Sequence, residues 1–444
     1  MRSIRNTALN LFTSVGMTVI QILIGAILNR TVGPGGRGEM QTVTMWALLL
    51  SWAVGLSFGQ ANAYKGAADP ERRPALFANS LWLALFIGIP CGLAASAILP
   101  HYVHLTDENR FLFLFSLWAL PISMLSDYYG WLLYSDAKFG KFNLFRITPQ
   151  LVVSVSLLLL WAFHLLTVRT AILATWTGSY VALGYAIVML VRAGYGRLKP
   201  DWILAKDSLI YSSKVHLGTL ANAANGRLDQ LLMSTSVMIT THSLGLYVCA
   251  VTYSELLNQT ASAISLVLFP KVAAEKDPAK QAEHAAMSVR WTLIIGALGG
   301  LFLFFAAPVI VPLINGASFM GAIPAIHWLL PGIVAMGVCA ILSASLRGAG
   351  KPGLTSIAEG VSVTVMLTLL LALLPRLGIV GASVASTCGY FVNMLVLIYF
   401  FKREFGGASI ASMRPTGADI VYARNAIVNF KRRKGAVSSE AAPL

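Results

Sequence analysis

The chain has 444 residues, of which 57% are hydrophobic and only 11% charged. Soluble domains carry about 25% charged residues, so this composition excludes a globule clothed in polar surface. The net charge of +15 would point to nucleic acid in a soluble protein, but in a membrane chain it marks loops held near anionic lipid.

Apolar runs near twenty residues long recur along the sequence, and about twenty is the length that crosses a hydrocarbon layer of about 30 Å. In chain order they fall at 8–28, 41–63, 76–99, 111–133, 148–166, 171–191, 211–238, 244–269, 289–313, 322–345, 354–374 and 378–401. The reading is an all-α polytopic membrane protein with about twelve spans. Spans seven and eight carry the weakest signal, because polar residues interrupt them. Met1–Arg5 followed by an apolar run has the look of a signal peptide. That run is too long for one and lacks a small-x-small cleavage site, so it is read as a retained first span.

The basic residues test this topology. With both termini on the cytoplasmic side, 26 of the 33 Lys and Arg fall on that side and five on the other, while Lys214 and Arg227 sit inside span seven. Such asymmetry is the positive-inside pattern, and it accounts for the net charge without nucleic acid.

The two halves resemble each other. Arg37-Gly38-Glu39-Met40 opens span two, and Leu244-Gly245-Leu246-Tyr247 opens span eight, an offset of 207. Asp136-Ala137-Lys138-Phe139-Gly140 follows span four and Ala349-Gly350-Lys351-Pro352-Gly353 follows span ten, an offset of 213. Six spans per half leave the halves in one orientation, which predicts two six-helix lobes, 1–200 and 201–403, related by a pseudo-two-fold axis along the membrane normal, with substrate between them. Residues 404–444 form a basic cytoplasmic tail. Within it 419–430 has the pattern of a short amphipathic helix, and Lys431-Arg432-Arg433-Lys434 suits an anionic lipid surface.

Several motifs have plain explanations. Gly33-Pro34-Gly35-Gly36-Arg37-Gly38 matches a dinucleotide fingerprint in letters, but it joins two spans instead of a strand and a helix, so a glycine turn suffices. His101, His104, Asp107 and Glu108 share a loop without metal-site spacing, and the four cysteines lie singly in apolar segments. No metal or cofactor is expected. Asn258-Gln259-Thr260 is a glycosylation sequon inside a span. Pro90, Pro121, Pro308, Pro312, Pro324 and Pro331 are candidate kinks.

Charges within spans are more informative, because each costs roughly 2.5–3.5 kcal/mol at the bilayer centre on insertion scales and must face a cavity or a partner. They are Asp127, Arg227, Asp229, Glu255 and Glu359. Asn222, Asn225 and Gln230 add to the polarity of span seven, and Asn258 and Gln259 to that of span eight, so both spans are expected to line a wet cavity. The planar fork of Arg227 suits a phosphate. Alternatively Arg227 and Asp229 neutralise neighbouring groups, although two residues apart on a helix they cannot pair well with each other. Asp127 and Glu359 lie nearer the cytoplasmic ends, where pairing or gating is the expected role, and Glu255 is a candidate for ion coupling.

Four stretches carry a family likeness: Leu28–Gly38 (LNRTVGPGGRG), Gly226–Tyr247 (GRLDQLLM through SLGLY), Val267–Lys271 (VLFPK) and Leu346–Gly381 (LRGAGKPG, then LGIVG). In this order they resemble the polysaccharide repeat-unit flippases of the multidrug/oligosaccharidyl-lipid/polysaccharide exporter superfamily. The resemblance implies two bundles forming a V that opens alternately to each side of the bacterial cytoplasmic membrane. It implies a polyprenyl-diphosphate-linked oligosaccharide as cargo, membrane lipid around it and a polysaccharide polymerase as a partner, with no enzymatic step. Arg227 matches the family's basic position in the R-L-D stretch and Arg30 the one closing span one; together with the polar Asn225 and Asp229 of span seven they are the expected substrate contacts. A proton or sodium gradient acting through Asp229 or Glu255, or the membrane potential, would drive transport. The rival readings are a cation-coupled drug exporter of the same superfamily, a sibling peptidoglycan-precursor flippase, and a membrane-embedded glycosyltransferase or polymerase, which would need large outer loops bearing catalytic carboxylates.

Overall fold

The computed structural model describes residues 2–103, 107–136, 139–196, 198–275, 277–406 and 413. His104, Lys138 and most of the tail, with its 419–430 segment and Lys431–Lys434, lie outside the described residues. The described residues form twelve α-helices joined by short connections. They are α1 (Arg2–Val54), α2 (Phe58–Ala68), α3 (Arg73–Ile98), α4 (Asp107–Trp118), α5 (Leu120–Ser135), α6 (Phe139–Ala162), α7 (Val168–Arg192), α8 (Trp202–Thr235), α9 (Thr241–Ala274), α10 (Pro278–Asn315), α11 (Ile323–Gly348) and α12 (Pro352–Phe405).

Helices and spans do not correspond one to one. At 1.5 Å per residue, the 54 residues of α12 would reach about 80 Å, far beyond a bilayer core of about 30 Å. The helix breaks at Gly378 (φ 56°, ψ −134°), and α1 breaks likewise at Gly33 (φ 67°, ψ −179°), so each supplies two spans. Glycine is required at both because the left-handed region is strained for any residue with a Cβ. Conversely, α1 and α2 meet at a 54° bend and α4 and α5 at 49°, and each pair taken together is long and apolar enough to make one broken span. Pro121, at the start of α5, cannot donate to the preceding turn and so favours the second bend. Pro90, Pro308, Pro312 and Pro331 are accommodated inside continuous helices, and Pro324 sits in the first turn of α11.

Six helices are individually long and apolar enough to cross a membrane, and the two bent pairs raise that number to eight. Helices α8 and α9, spans seven and eight, are not among them. Large apolar side chains such as Leu159 on α6 and Phe302, Phe305 and Val309 on α10 are exposed, as lipid-facing positions require. The chain is a multi-pass membrane protein.

The buried apolar residues form separate clusters in two lobes. Met233, Tyr247, Phe319 and Leu370 belong to one cluster and Leu342, Leu346 and Phe401 to another, both in the C-terminal lobe. Leu28, Phe113 and Ile172 form a cluster in the N-terminal lobe. The start of α8 joins the N-terminal side, since Leu204 packs with Leu76, Tyr129 and Leu190. Fully buried Asn79 fastens the connection before it. The Asn79 amide donates to the Asp201 carbonyl at 2.9 Å and accepts from the Asp201 N–H at 2.9 Å, while the Asp201 carboxylate caps α8 by accepting from the Leu204 N–H at 3.0 Å.

At the end that bears most of the basic loops, Arg73 is a cross-link and not a free charge. Its guanidinium donates to Asp136 Oδ1 (2.8 Å), Tyr195 Oη (3.2 Å), the Ser135 carbonyl (2.9 Å) and the Gly66 carbonyl (2.8 Å).

At the opposite end the lobes meet in a reciprocal contact. A Cβ on Gly38 would strike the Thr241 carbonyl and approach the Gly245 N–H, and a Cβ on Gly245 would strike the Pro34 carbonyl and approach the Gly38 N–H. Each pair of equivalents is separated by the offset of 207 found in the sequence, so the pseudo-two-fold axis runs through this crossing. The two small-x-x-x-small pairs, Pro34 with Gly38 and Thr241 with Gly245, let the backbones of α1 and α9 touch. Around it the Asn29 amide donates to Asn315 Oδ1 (2.7 Å), whose own amide donates to Tyr253 Oη (2.7 Å). Gln41 donates to Gln230 (2.6 Å) and Trp46 Nε1 to Ser234 (3.0 Å).

Gly38→Ala and Gly245→Ala should each lower the thermal unfolding midpoint of the detergent-purified protein, with a cost of about 1–3 kcal/mol, the range for overpacking. Because both methyls would force apart the same two backbones, the double variant should lose clearly less than the sum of the singles.

Candidate functional site

Between the lobes lies a cavity of about 380 Å³, within the range of about 300–1,000 Å³ for ligand sites. Ser51, Trp52, Gly55, Ser57 and Gln60 of span two and Asp127 and Trp131 of α5 form the N-terminal wall. Thr219, Asn222, Gly226 and Arg227 of α8 and Glu255 of α9 form the C-terminal wall.

The N-terminal wall exists because span two is broken there. Leu56 (φ 50°) and Ser57 (φ 52°) are left-handed without being glycine, a conformation that costs about 1–3 kcal/mol and persists only where its surroundings impose it. Fully buried Phe58 and Tyr128 pack edge to face at 5.2 Å, and the Tyr128 hydroxyl donates to the Gly55 carbonyl at 3.0 Å. The Gly55 carbonyl also accepts from the Phe58 N–H at 3.0 Å. Broken backbone is tolerated at membrane depth where it borders a water-accessible cavity. Across the break, Ser57 Oγ meets His216 Nδ1 at 3.2 Å and Gln60 donates to Thr219 at 3.1 Å, joining span two to α8.

The charges divide into lining and framing groups. Arg227 and Glu255 pair across the cavity wall at 3.3 Å, with 32% and 40% of their side chains exposed. Asp127 is exposed to the same space, and its Oδ1 accepts from Trp131 Nε1 at 3.2 Å. Glu359 lies behind α8. Its Oε1 accepts from Asn222 at 3.2 Å and its carbonyl from Asn225 at 3.2 Å.

Three residues expected to contact substrate are placed elsewhere. Asp229 is buried, and its carboxylate accepts from the Tyr247 hydroxyl, from Ser386 at 3.0 Å and from the Gln230 N–H at 2.7 Å. It thereby ties α8 to α9 and α12. Asn225 is buried as well, accepting from Ser362 at 2.9 Å. Both face away from the cavity because α8 turns its Arg227 stripe to the opening and its Asn225–Asp229 stripe, one turn long at i, i+4, into the lobe. Arg30 is at the far seam, where its Nε donates to the Ile314 carbonyl at 2.9 Å and its Nη2 to that of Leu313. There it satisfies orphan carbonyls in the last turn of α10 and favours the negative end of that helix. The structure thus brings Asp127, Arg227 and Glu255 to one cavity and leaves Arg30, Asn225, Asp229 and Glu359 as frame. Trp52, Trp131, Ser57 and Gln60 were not singled out in the sequence. The only local signal for them was a glycine–leucine–serine interruption in span two, and their convergence is tertiary.

A lipid II flippase, MurJ, in an inward closed conformation superposes on this chain with a TM-score of 0.72 at 13% identity, over 91% of both chains. An inward-facing multidrug resistance MATE family transporter of the MOP superfamily superposes with a TM-score of 0.71 at 16% identity, over 90% of this chain and 96% of the other. The chain shares the fold of these two proteins. An outward-facing MATE structure gives a TM-score of 0.57 over 89% of this chain and 99% of the other, at 15% identity. In sequence, the chain is 24% identical over 233 residues to a probable low-salt glycan biosynthesis flippase, Agl15, of Haloferax volcanii, covering 49% of this chain and 48% of the relative. It is equally 24% identical over 233 residues to an uncharacterised membrane protein of Methanocaldococcus jannaschii, covering 49% of this chain and 46% of that one. The chain spans about half the length of the curated relatives it matches. No family model matches it. A probable glycan biosynthesis flippase thus stands among the chain's relatives in sequence, in keeping with the resemblance that the sequence carries.

Asp229→Ala should destabilise the purified protein by roughly 1–3 kcal/mol for each buried donor left unpaired, read as a fall in the thermal unfolding midpoint in detergent. Glu255→Gln, at a half-exposed pair, should shift it far less.

Proposed function

We propose that the chain is a flippase that carries polyprenyl-diphosphate-linked oligosaccharide units across the cytoplasmic membrane by alternating access. The observation that carries this reading is the polar cavity between the lobes, lined by Asp127 from one lobe and the Arg227–Glu255 pair from the other. A diphosphate and its sugars cannot enter hydrocarbon, since uncompensated charge and unpaired hydroxyls are costly there. A wet cleft shields the head while the polyprenyl chain stays in lipid. Translocation breaks no bond, so the site needs only to bind, shield and release. The match to a glycan biosynthesis flippase supports the cargo class.

In this reading Arg227 engages the phosphate, Glu255 competes with it for the guanidinium, and Asp127 and Glu255 are the groups through which an ion gradient would act. The seam around Gly38 and Gly245, with Arg30 on α10, holds the far side closed. The lobes 1–200 and 201–403 move against each other, and the 26-to-five distribution of Lys and Arg supports cytoplasmic termini. A polysaccharide polymerase would consume the delivered units.

The test is a liposome assay in which an impermeant sugar-oxidising reagent reports how much polyprenyl-diphosphate oligosaccharide reaches the opposite leaflet. Wild-type protein should accelerate transfer, and Arg227→Ala should slow it by about tenfold or more, as expected for loss of a charge-assisted contact worth about 1.5–3 kcal/mol. One feature favours the drug-exporter reading, namely two carboxylates beside Trp52 and Trp131, an arrangement that also suits organic cations. Proton-driven efflux of such a cation, without transfer of the lipid-linked sugar, would establish that reading instead.

A further inference from the structure

The two walls of the cavity differ in chemistry. On the C-terminal side stands the lining cation Arg227 with Glu255. On the N-terminal side stand two tryptophans, Trp52 and Trp131, with Asp127 and Gln60. We infer that Trp131, with Trp52, is a sugar-stacking subsite, so that the N-terminal lobe reads the first sugar of the cargo while the C-terminal lobe reads its phosphate. The inference rests on the flippase reading and extends it to named specificity residues.

The Trp131 indole is held in place from three sides. Its Nε1 donates to Asp127 Oδ1 at 3.2 Å. Its five-membered ring lies directly against the backbone of Gly59, where a Cβ would collide with Cδ1. Its ring meets Tyr134 edge to face at 5.8 Å. Gly59 is the second residue of α2, so the left-handed break at Leu56–Ser57 sets the surface against which the indole rests. A side chain fixed before the ligand arrives loses little freedom on binding.

The surrounding groups favour a sugar over an organic cation. A pyranose offers an apolar C–H face to an aromatic ring and a rim of hydroxyls that need partners. Asp127 has acceptor capacity beyond its bond from Trp131, and the amides of Gln60 and Asn222 each combine two N–H donors with an acceptor oxygen. Both amides line the cavity. An organic cation would use the carboxylates of Asp127 and Glu255 but would offer the Gln60 and Asn222 amides no partner, whereas a sugar's hydroxyls serve the amides and Asp127 alike. Trp52 and Trp131 share the cavity with Arg227, the residue proposed to engage the phosphate, which makes the sugar nearest the phosphate the one within reach of this wall.

The test uses the full chain in lipid nanodiscs and two probes, farnesyl diphosphate and farnesyl-diphosphate-linked N-acetylglucosamine, with affinities measured by titration. Trp131→Ala should weaken the sugar-bearing probe by about tenfold, the scale of one aromatic contact, and leave the sugar-free probe unchanged. Trp131→Phe, which keeps a ring face, should recover most of the loss, and Arg227→Ala should weaken both probes alike. Equal loss of both probes in Trp131→Ala, or loss of neither, would overturn the subsite while leaving the flippase reading standing. Absence of binding of either probe to the wild type would remove the flippase reading and the subsite together. Tetraphenylphosphonium binding that depends on Trp131, with no discrimination between the farnesyl probes, would reassign the wall to cations.

Discussion

The fold turns on one contact, the mutual approach of Gly38 and Gly245 on the pseudo-two-fold axis. In lipid there is no hydrophobic drive to bring helices together, so close packing and backbone contacts must do it. At this crossing each glycine offers a Cα–H where a side chain would stand, and that hydrogen faces a carbonyl of the other lobe. Spans two and eight can cross closely there, and farther along the same two spans Trp52 and Glu255 line the cavity. Arg30 on the last carbonyls of α10 and the Asn29–Asn315–Tyr253 chain reinforce the same seam.

From this crossing follows the position of α8, the helix on which both lobes converge. Its beginning is fastened to the N-terminal lobe through Asn79 and Asp201. Its middle is bonded to the broken span two through His216 and Thr219. Its later turns are bonded to α9 and α12 through Asn225 and Asp229. A helix with partners on several sides must be polar on several sides, which is why it lacks the apolar character of an ordinary span. Any relative motion of the lobes has to be absorbed along α8 or in the loops beside it.

The polar interior is organised by how far each group stands from the opening. Asp229 is enclosed by hydroxyl and N–H donors that belong to the frame, so it contributes rigidity to the C-terminal lobe. Arg227 and Glu255, two residues before and one helix over, remain half-exposed and hold each other loosely. A pair of that kind gives up little when it separates, whereas the Asp229 network would forfeit several buried bonds at once.

Much of the architecture is determined by sequence alone. The apolar runs near twenty residues, the one-sided distribution of Lys and Arg, and the offset of 207 between Gly38 and Gly245 follow from the physics of crossing a bilayer and from internal repetition, which are properties of linear order. Polarity in spans seven and eight implied a wet cavity, which Arg227 of the one and Glu255 of the other line, and the two-residue spacing sends Arg227 and Asp229 different ways. Only the tertiary structure decided which of those polar residues face the cavity, because a helix shows its stripes in sequence but not which neighbour each stripe meets. Asp229 and Asn225 turned into the lobe, and Arg30 went to the far seam. Trp52 and Trp131 look like ordinary membrane tryptophans in the chain. They become a wall only where Leu56 and Ser57 break the helix, and that break is held by Tyr128, from a span distant in sequence, which packs on Phe58 and bonds the Gly55 carbonyl.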